Sequence, residues 1–246
     1  MTDFPQIHRD GQRGPTSDFL LGRQMEHELL VKLQTAQWKK SAEAIRTPGL
    51  AGFRVFATFC GILDFIHQRA WQGACHASSV VFHVLLREQG ADSVLCHGMA
   101  EKNGILFNHS WVEIEGRVYD AAISNTVSRD VDSPPVFAGI DLATMQDTRL
   151  VYGAQSPREA DEIVVFAREK GFNAYMDAFP HLRHGLWGAA RDVGKRIGVR
   201  LNIAKLRAVY ADTAWIERAP RERNGEEPDL PGDRFATGAD PSLRSG

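Results

Sequence analysis

The segment from Ser93 to Ile123, SVLCHGMAEKNGILFNHSWVEIEGRVYDAAI, constrains the fold more than any other part of the chain. Two turn-forming pairs, Asn103–Gly104 and Glu115–Gly116, divide it into three runs of strand-like composition. Asn-Gly suits a two-residue hairpin turn, whose central residues both need positive φ. Glu-Gly is the weaker of the two signals, because Glu disfavours positive φ. The spacing predicts a three-stranded antiparallel meander over 93–102, 105–114 and 117–123. A two-residue turn at 115–116 pairs Ile114 with Arg117 and Trp111 with Asp120. Opposed residues share a face of the sheet, as do residues two apart on one strand. His109 and Asp120 therefore fall on one face as diagonal neighbours, whereas a three-residue turn would put them on opposite faces.

A carboxylate beside an imidazole accepts one ring N–H, fixes the tautomer and stabilises the imidazolium, leaving the other nitrogen to face a thiol. The stretch WQGACHASSVVFHVLL from Trp71 supplies that thiol. Cys75 sits where a small-residue turn becomes a helix, and a helix start favours the thiolate. The helix is expected from Cys75 to Gly90, with Ala77, Val80, Val81, Val84 and Leu85 as its apolar stripe. Packed on the meander face, it brings Cys75 to His109. The sulfur can then attack an acyl carbon while helix-start amides hold the oxyanion and His109 protonates the leaving group. Gly73 and Ala74 keep the approach open, Gln72 is a candidate oxyanion donor, His76 flanks the cleft, and Trp111 reads as an aromatic beneath the site.

GACHASS followed by NHSWVEIEGRVYDAA resembles the core of the transglutaminase-like branch of the papain-like cysteine enzymes. In that family a Cys opens a helix, a His precedes xWVE on a strand, and an Asp lies on the next strand. Cys75, His109 and Asp120 fall on those positions in that order. The chain is also similar to the compact bacterial leader-peptide proteases of lasso-peptide maturation. Two departures are His76, directly after the Cys, and Ser110, where the family often has Ala. The resemblance implies an α+β fold, with the nucleophile helix on a twisted antiparallel sheet and further helices at both ends. It implies cofactor-free, cysteine-dependent acyl transfer on an amide of a peptide or protein, ending in hydrolysis or transamidation.

Two other readings compete with this one. A non-catalytic peptide-binding or assembly module on the same fold would use the basic segment 181–210 for an acidic partner. That segment carries seven Lys or Arg against the single Asp192. A zinc-dependent hydrolase would draw on His76, His83, Cys96 and His97. No pair of these has zinc-finger spacing, so no metal is expected.

The remaining elements follow from periodicity. Helices are expected over 24–46, with Leu29, Leu30, Leu33 and Ala36 as the stripe, and over 50–70, with Phe56, Phe59, Cys60, Leu63 and Ile66. Loop is expected over 124–155, with one short strand at 148–152. A helix capped by Ser156, with Pro157 and Glu159 in its first turn, should end at Gly171. A helical pattern over 182–210 is weakened by Gly185, Gly188, Gly194 and Gly198. The domain expectation is a loose arm over 1–18, a catalytic core over 19–155, a helical extension over 156–215 and a disordered tail over 216–246. The composition is globular, with 43% hydrophobic residues and a net charge of −2, so nucleic acid is not an expected partner. No apolar run reads as a membrane span. Three cysteines and no N-terminal apolar run give the expectation of a cytoplasmic setting.

Overall fold

The computed structural model describes residues 17–155 and 161–218. Two helices lead in, α1 (Ser17–Ile45) and α2 (Gly49–Gln68), followed by α3 (Cys75–Glu88). The meander consists of β1 (Ser93–Lys102), β2 (Ile105–Ile114) and β3 (Arg117–Tyr119). Its register is the one the two-residue turns require: Ile114 opposes Arg117, and Lys102 opposes Ile105. Asn103, Gly104, Glu115 and Gly116 all take positive φ, including the disfavoured glutamate. β3 stops four residues earlier than its composition suggests. Asp120 Oδ1 accepts hydrogen bonds from the Ala122 and Ile123 amides, which turns the chain into a short 3₁₀ helix over Ala122–Ser124.

α3 is the centre of the molecule. It lies on β1 and β2 with one side and against α2 and the later helix α6 (Gly185–Arg196) with the other. Its expected stripe is buried, and so are His76, Ser78, Ser79, Phe82 and His83. A helix covered from two sides has no solvent face, so stripe counting understates its burial. α2 presents Phe59, Ile62, Leu63, Phe65 and Ile66 to this core. Contrary to the expectation of no such run, it is also long and apolar enough to cross a membrane by length and composition. Its buried side packs on α1, α3 and α6, as in a core helix.

The stripe expected on α1 is not the one that packs. Leu29, Leu30, Leu33 and Ala36 are exposed, while Thr35, Trp38, Ser41 and Ala42 face the core. The helix is longer than the surface available to cover it, so only its C-terminal half is seated.

The expected loop over 124–155 holds a second, small sheet. β4 (Val136–Phe137), β5 (Ile140–Asp141) and β6 (Gln146–Asp147) pair antiparallel, and Asp120 bridges to Val136. Two-residue strands are too short to show alternation, so sequence patterning could not reveal them. β7 (Val151–Tyr152) pairs with β1 at Ala100 and Glu101.

Beyond it, α4 (Glu162–Lys170) is capped by Asp161, whose Oδ1 accepts from Ile163 N at 2.9 Å. The proposed Ser156 cap, with Pro157 and Glu159, lies outside the described residues. Gly171, at φ 86°, ends α4 and begins α5 (Phe172–Asp177). The pattern over 182–210 is broken into α6 and α7 (Ile203–Val209). The glycines in α6 are sites of close approach: a Cβ on Gly185 would stand 2.1 Å from the Met176 carbonyl oxygen. β8 (Ile216–Glu217), assigned to the tail by composition, pairs in parallel with Cys96 and His97. Its side chains are exposed and it is held by its backbone, so hydropathy carried no trace of it.

Candidate active site

α3 carries the thiol and β2 the imidazole. Asp120 stands at the end of β3, where its own backbone caps decide its rotamer. His109 Nε2 lies 2.6 Å from Asp120 Oδ2. The same carboxylate oxygen accepts from the Tyr152 hydroxyl at 2.9 Å, while Oδ1 holds the two 3₁₀ amides at 3.0 and 3.2 Å. Asp120 is thus buried with four donors, a sufficient set for an ionised carboxylate. With Nε2 engaged, Nδ1 is the ring nitrogen left to face the thiol.

The imidazole is boxed by aromatics. Trp111 stacks on it at 6.4 Å with 14° between planes, and Phe107 and Tyr152 stand at 5.6 and 6.3 Å. Trp111 is fully buried and donates to Glu113 Oε1 at 3.1 Å. Glu113 in turn pairs with Arg218 at 2.7 Å, which ties the strand after α7 to the floor of the site.

Cys75 keeps some surface open, although protein crowds around its sulfur. Burial alone raises its pKa. Hydrogen bonds to His109 and His76, with the charge of both rings, outweigh that and bring it well below the usual thiol value. His109 is shifted the other way: burial disfavours its charged form, but Asp120 and Cys75 raise it well above the usual imidazole range. Burial also drives Cys60 and Cys96 up to about 12, so neither shares this activation.

His76 does more than flank the cleft. Its Nδ1 is 3.3 Å from Cys75 Sγ, and its Nε2 is 3.5 Å from Asp161 Oδ2. Gln72 is exposed in the turn before α3. Around the thiol stand groups that sequence reasoning missed: Tyr152, Asp161 and Tyr175, the last with a pKa raised first by burial and then by the charges of Cys75 and Asp161. Asp161 left one legible signal, as an acceptor directly before a helical run. Tyr152 left none.

The zinc ligand set does not assemble. His83 hydrogen-bonds Ser93 Oγ at 3.0 Å, and among the described residues no three His, Cys, Asp or Glu side chains are grouped to hold a metal. In the basic segment Arg207 pairs with Asp177, Arg196 with Gln68 and Arg191 with Asp192, so part of that charge is spent within the fold.

Ser110, the departure noted beside the His, is fully buried, and its hydroxyl has no hydrogen-bond partner among the described residues. Ser110→Ala is expected to stabilise the protein by about 1 kcal/mol by removing that unsatisfied group. Urea unfolding checks this, and a loss of stability would mean that the hydroxyl has a partner in solution.

A helix carrying Cys at its first position, laid on an antiparallel sheet whose next strands offer a His–Asp pair, is the architecture of a transglutaminase-like core. The family model described as the transglutaminase-like superfamily matches residues 20–129, so that span of the chain is similar to this superfamily. No curated protein and no solved structure matches the chain. Cys75, His109 and Asp120 lie inside the matched span, whereas Tyr152, Asp161 and Tyr175 lie beyond it.

Proposed function

We propose that this protein is a cysteine-dependent acyltransferase acting on an amide bond of a peptide or protein, through a thioester on Cys75. The observation that carries this reading is the 2.6 Å hydrogen bond from His109 to a buried Asp120, beside a thiol at the start of α3. The Cys75 proton passes to His109 Nδ1. The thiolate attacks the acyl carbon, and the first amides of α3, which have no acceptor within the helix, stabilise the oxyanion. The tetrahedral intermediate collapses as His109 gives its proton to the departing amine. His109, again neutral, then takes a proton from water or from an acceptor amine, which attacks the thioester and releases Cys75. Hydrolysis of a peptide or isopeptide bond is the first choice; transfer to an amine uses the same acyl-enzyme.

The test is to trap that intermediate. p-Nitrophenyl acetate should acylate the protein once, at Cys75, as a hydroxylamine-sensitive thioester visible by intact mass and peptide mapping. Cys75→Ala should abolish the adduct. Adding glycinamide and comparing the rate of thioester loss separates an amine acceptor from water. Acylation spread over the three cysteines, or unaffected by Cys75→Ala, would sink the proposal.

A further inference from the structure

The thiol has two imidazole neighbours, and each has its own carboxylate. His109 directs Nε2 at Asp120, and His76 has the same polarity, with Nδ1 at 3.3 Å from the Cys75 sulfur and Nε2 at 3.5 Å from Asp161 Oδ2. His76 is 95% buried, and its Nε2 has no hydrogen-bond partner among the described residues, so Asp161 is what faces that nitrogen. Asp161 is itself positioned: its other oxygen caps α4 through Ile163 N. Trp215 covers the His76 ring at 6.2 Å, and Tyr175 packs on Trp215 at 5.0 Å, which leaves the pair little exposed.

We propose that His76 is a second catalytic imidazole, positioned by Asp161, which shares the Cys75 proton with His109 and holds the sulfur as a thiolate. The inference rests on the thiol reading above. The step is a reversible proton transfer: the S–H bond breaks, an N–H bond forms at Nδ1 of one ring or the other, and no further reactant is needed. When both rings are charged, one carries the proton from sulfur and the other a proton taken from solvent, and Asp120 and Asp161 balance them. The titratable groups facing His76 are Cys75, Asp161 and His109, with His97 farther off on β1 beside Glu217 and Arg168, and Tyr175 facing Asp161 and Cys75 from α5. Burial lowers the pKa of His76, but the thiolate contact and Asp161 reverse this and raise it overall, while His109 opposes. One ring can therefore give up its proton to a leaving group while the other stays charged.

The experiment is iodoacetamide labelling of the full chain against pH, followed by peptide mapping of Cys75. Wild type should label on an acidic limb well below the ordinary thiol value of about 8.5. His76→Ala should move that limb up by about one pH unit or more, since removing a cation favours the protonated thiol. His109→Ala should retain part of the depression, and the double variant should lose it. Asp161→Asn keeps an amide oxygen to cap α4 and should move the limb the same way by a smaller step. It decides the matter should His76→Ala fail to fold. A His76→Ala limb superimposed on wild type overturns the inference, as does a His109→Ala limb equal to that of the double variant; both leave the His109 reading standing. A wild-type limb at the ordinary thiol value overturns both.

Discussion

At pH 7, iodoacetamide should label Cys75 about a hundredfold faster than Cys60 or Cys96, although all three are in the same folded chain. Burial pushes Cys60 and Cys96 up to about 12, while the two imidazoles bring Cys75 to about 5. At neutral pH the buried pair is then thiolate in about one molecule in 10⁵, and Cys75 is almost wholly thiolate. Nucleophilicity falls with thiol pKa at a Brønsted slope of about 0.4–0.5, so a seven-unit gap returns about three of those five decades. The difference of about two decades remains for Cys75. Its labelling should be flat from about pH 6 upward and fall below that, as the proton returns to sulfur. Acyl transfer needs the imidazolium as well, so it should also decline on the alkaline side as His109 loses the proton it delivers to the amine. Equal labelling of the three cysteines by peptide mapping would remove the basis for a thiolate nucleophile.

The second large effect belongs to Asp120. Asp120→Ala leaves His109 Nε2, the Tyr152 hydroxyl and the amides of Ala122 and Ile123 without their acceptor in a buried place. The expected loss is about 3–5 kcal/mol, measured by chemical unfolding. Asp120→Asn separates stability from chemistry. Its Oδ1 must still face the two backbone donors, which forces its NH₂ toward His109 Nε2. That nitrogen then accepts, so Nδ1 carries the hydrogen and cannot take one from Cys75. An oriented base locked in the wrong tautomer costs about 10⁴-fold in related hydrolytic chemistry. Single-turnover acylation of Asp120→Asn should fall by about that factor while much of the stability is kept. A rate within tenfold of wild type would mean that Asp120 orients nothing that matters.

The meander was legible because its information is local. Asn103–Gly104 and Glu115–Gly116 fix two turns, two turns fix a register, and a period of two then places His109 and Asp120 on one face whatever else the chain does. Cys75 was legible for a similar reason, as a thiol at a helix start preceded by glycine and alanine. α1 was misread because the apolar positions Leu29, Leu30 and Leu33 have helical spacing but no surface to cover, a fact that belongs to the packing of α2. β8 and the three two-residue strands were missed because they are held by backbone hydrogen bonds, which composition does not encode.

The sequence by itself determined the α+β order of elements, the register of the sheet, and the placing of Cys75 at a helix start and of His109 beside Asp120. The register and the shared face follow from spacings shorter than one hairpin, and the helices from their own periodicity. Only the tertiary structure decided what surrounds them. Tyr152 reaches Asp120 because β7 returns to the edge of β1, and Asp161 reaches His76 because α4 begins beside α3. Those residues lie about 30 and 85 positions from their partners, and no local periodicity links them. They meet because a buried charge needs donors or a counter-charge, and the fold supplies these from wherever the chain passes.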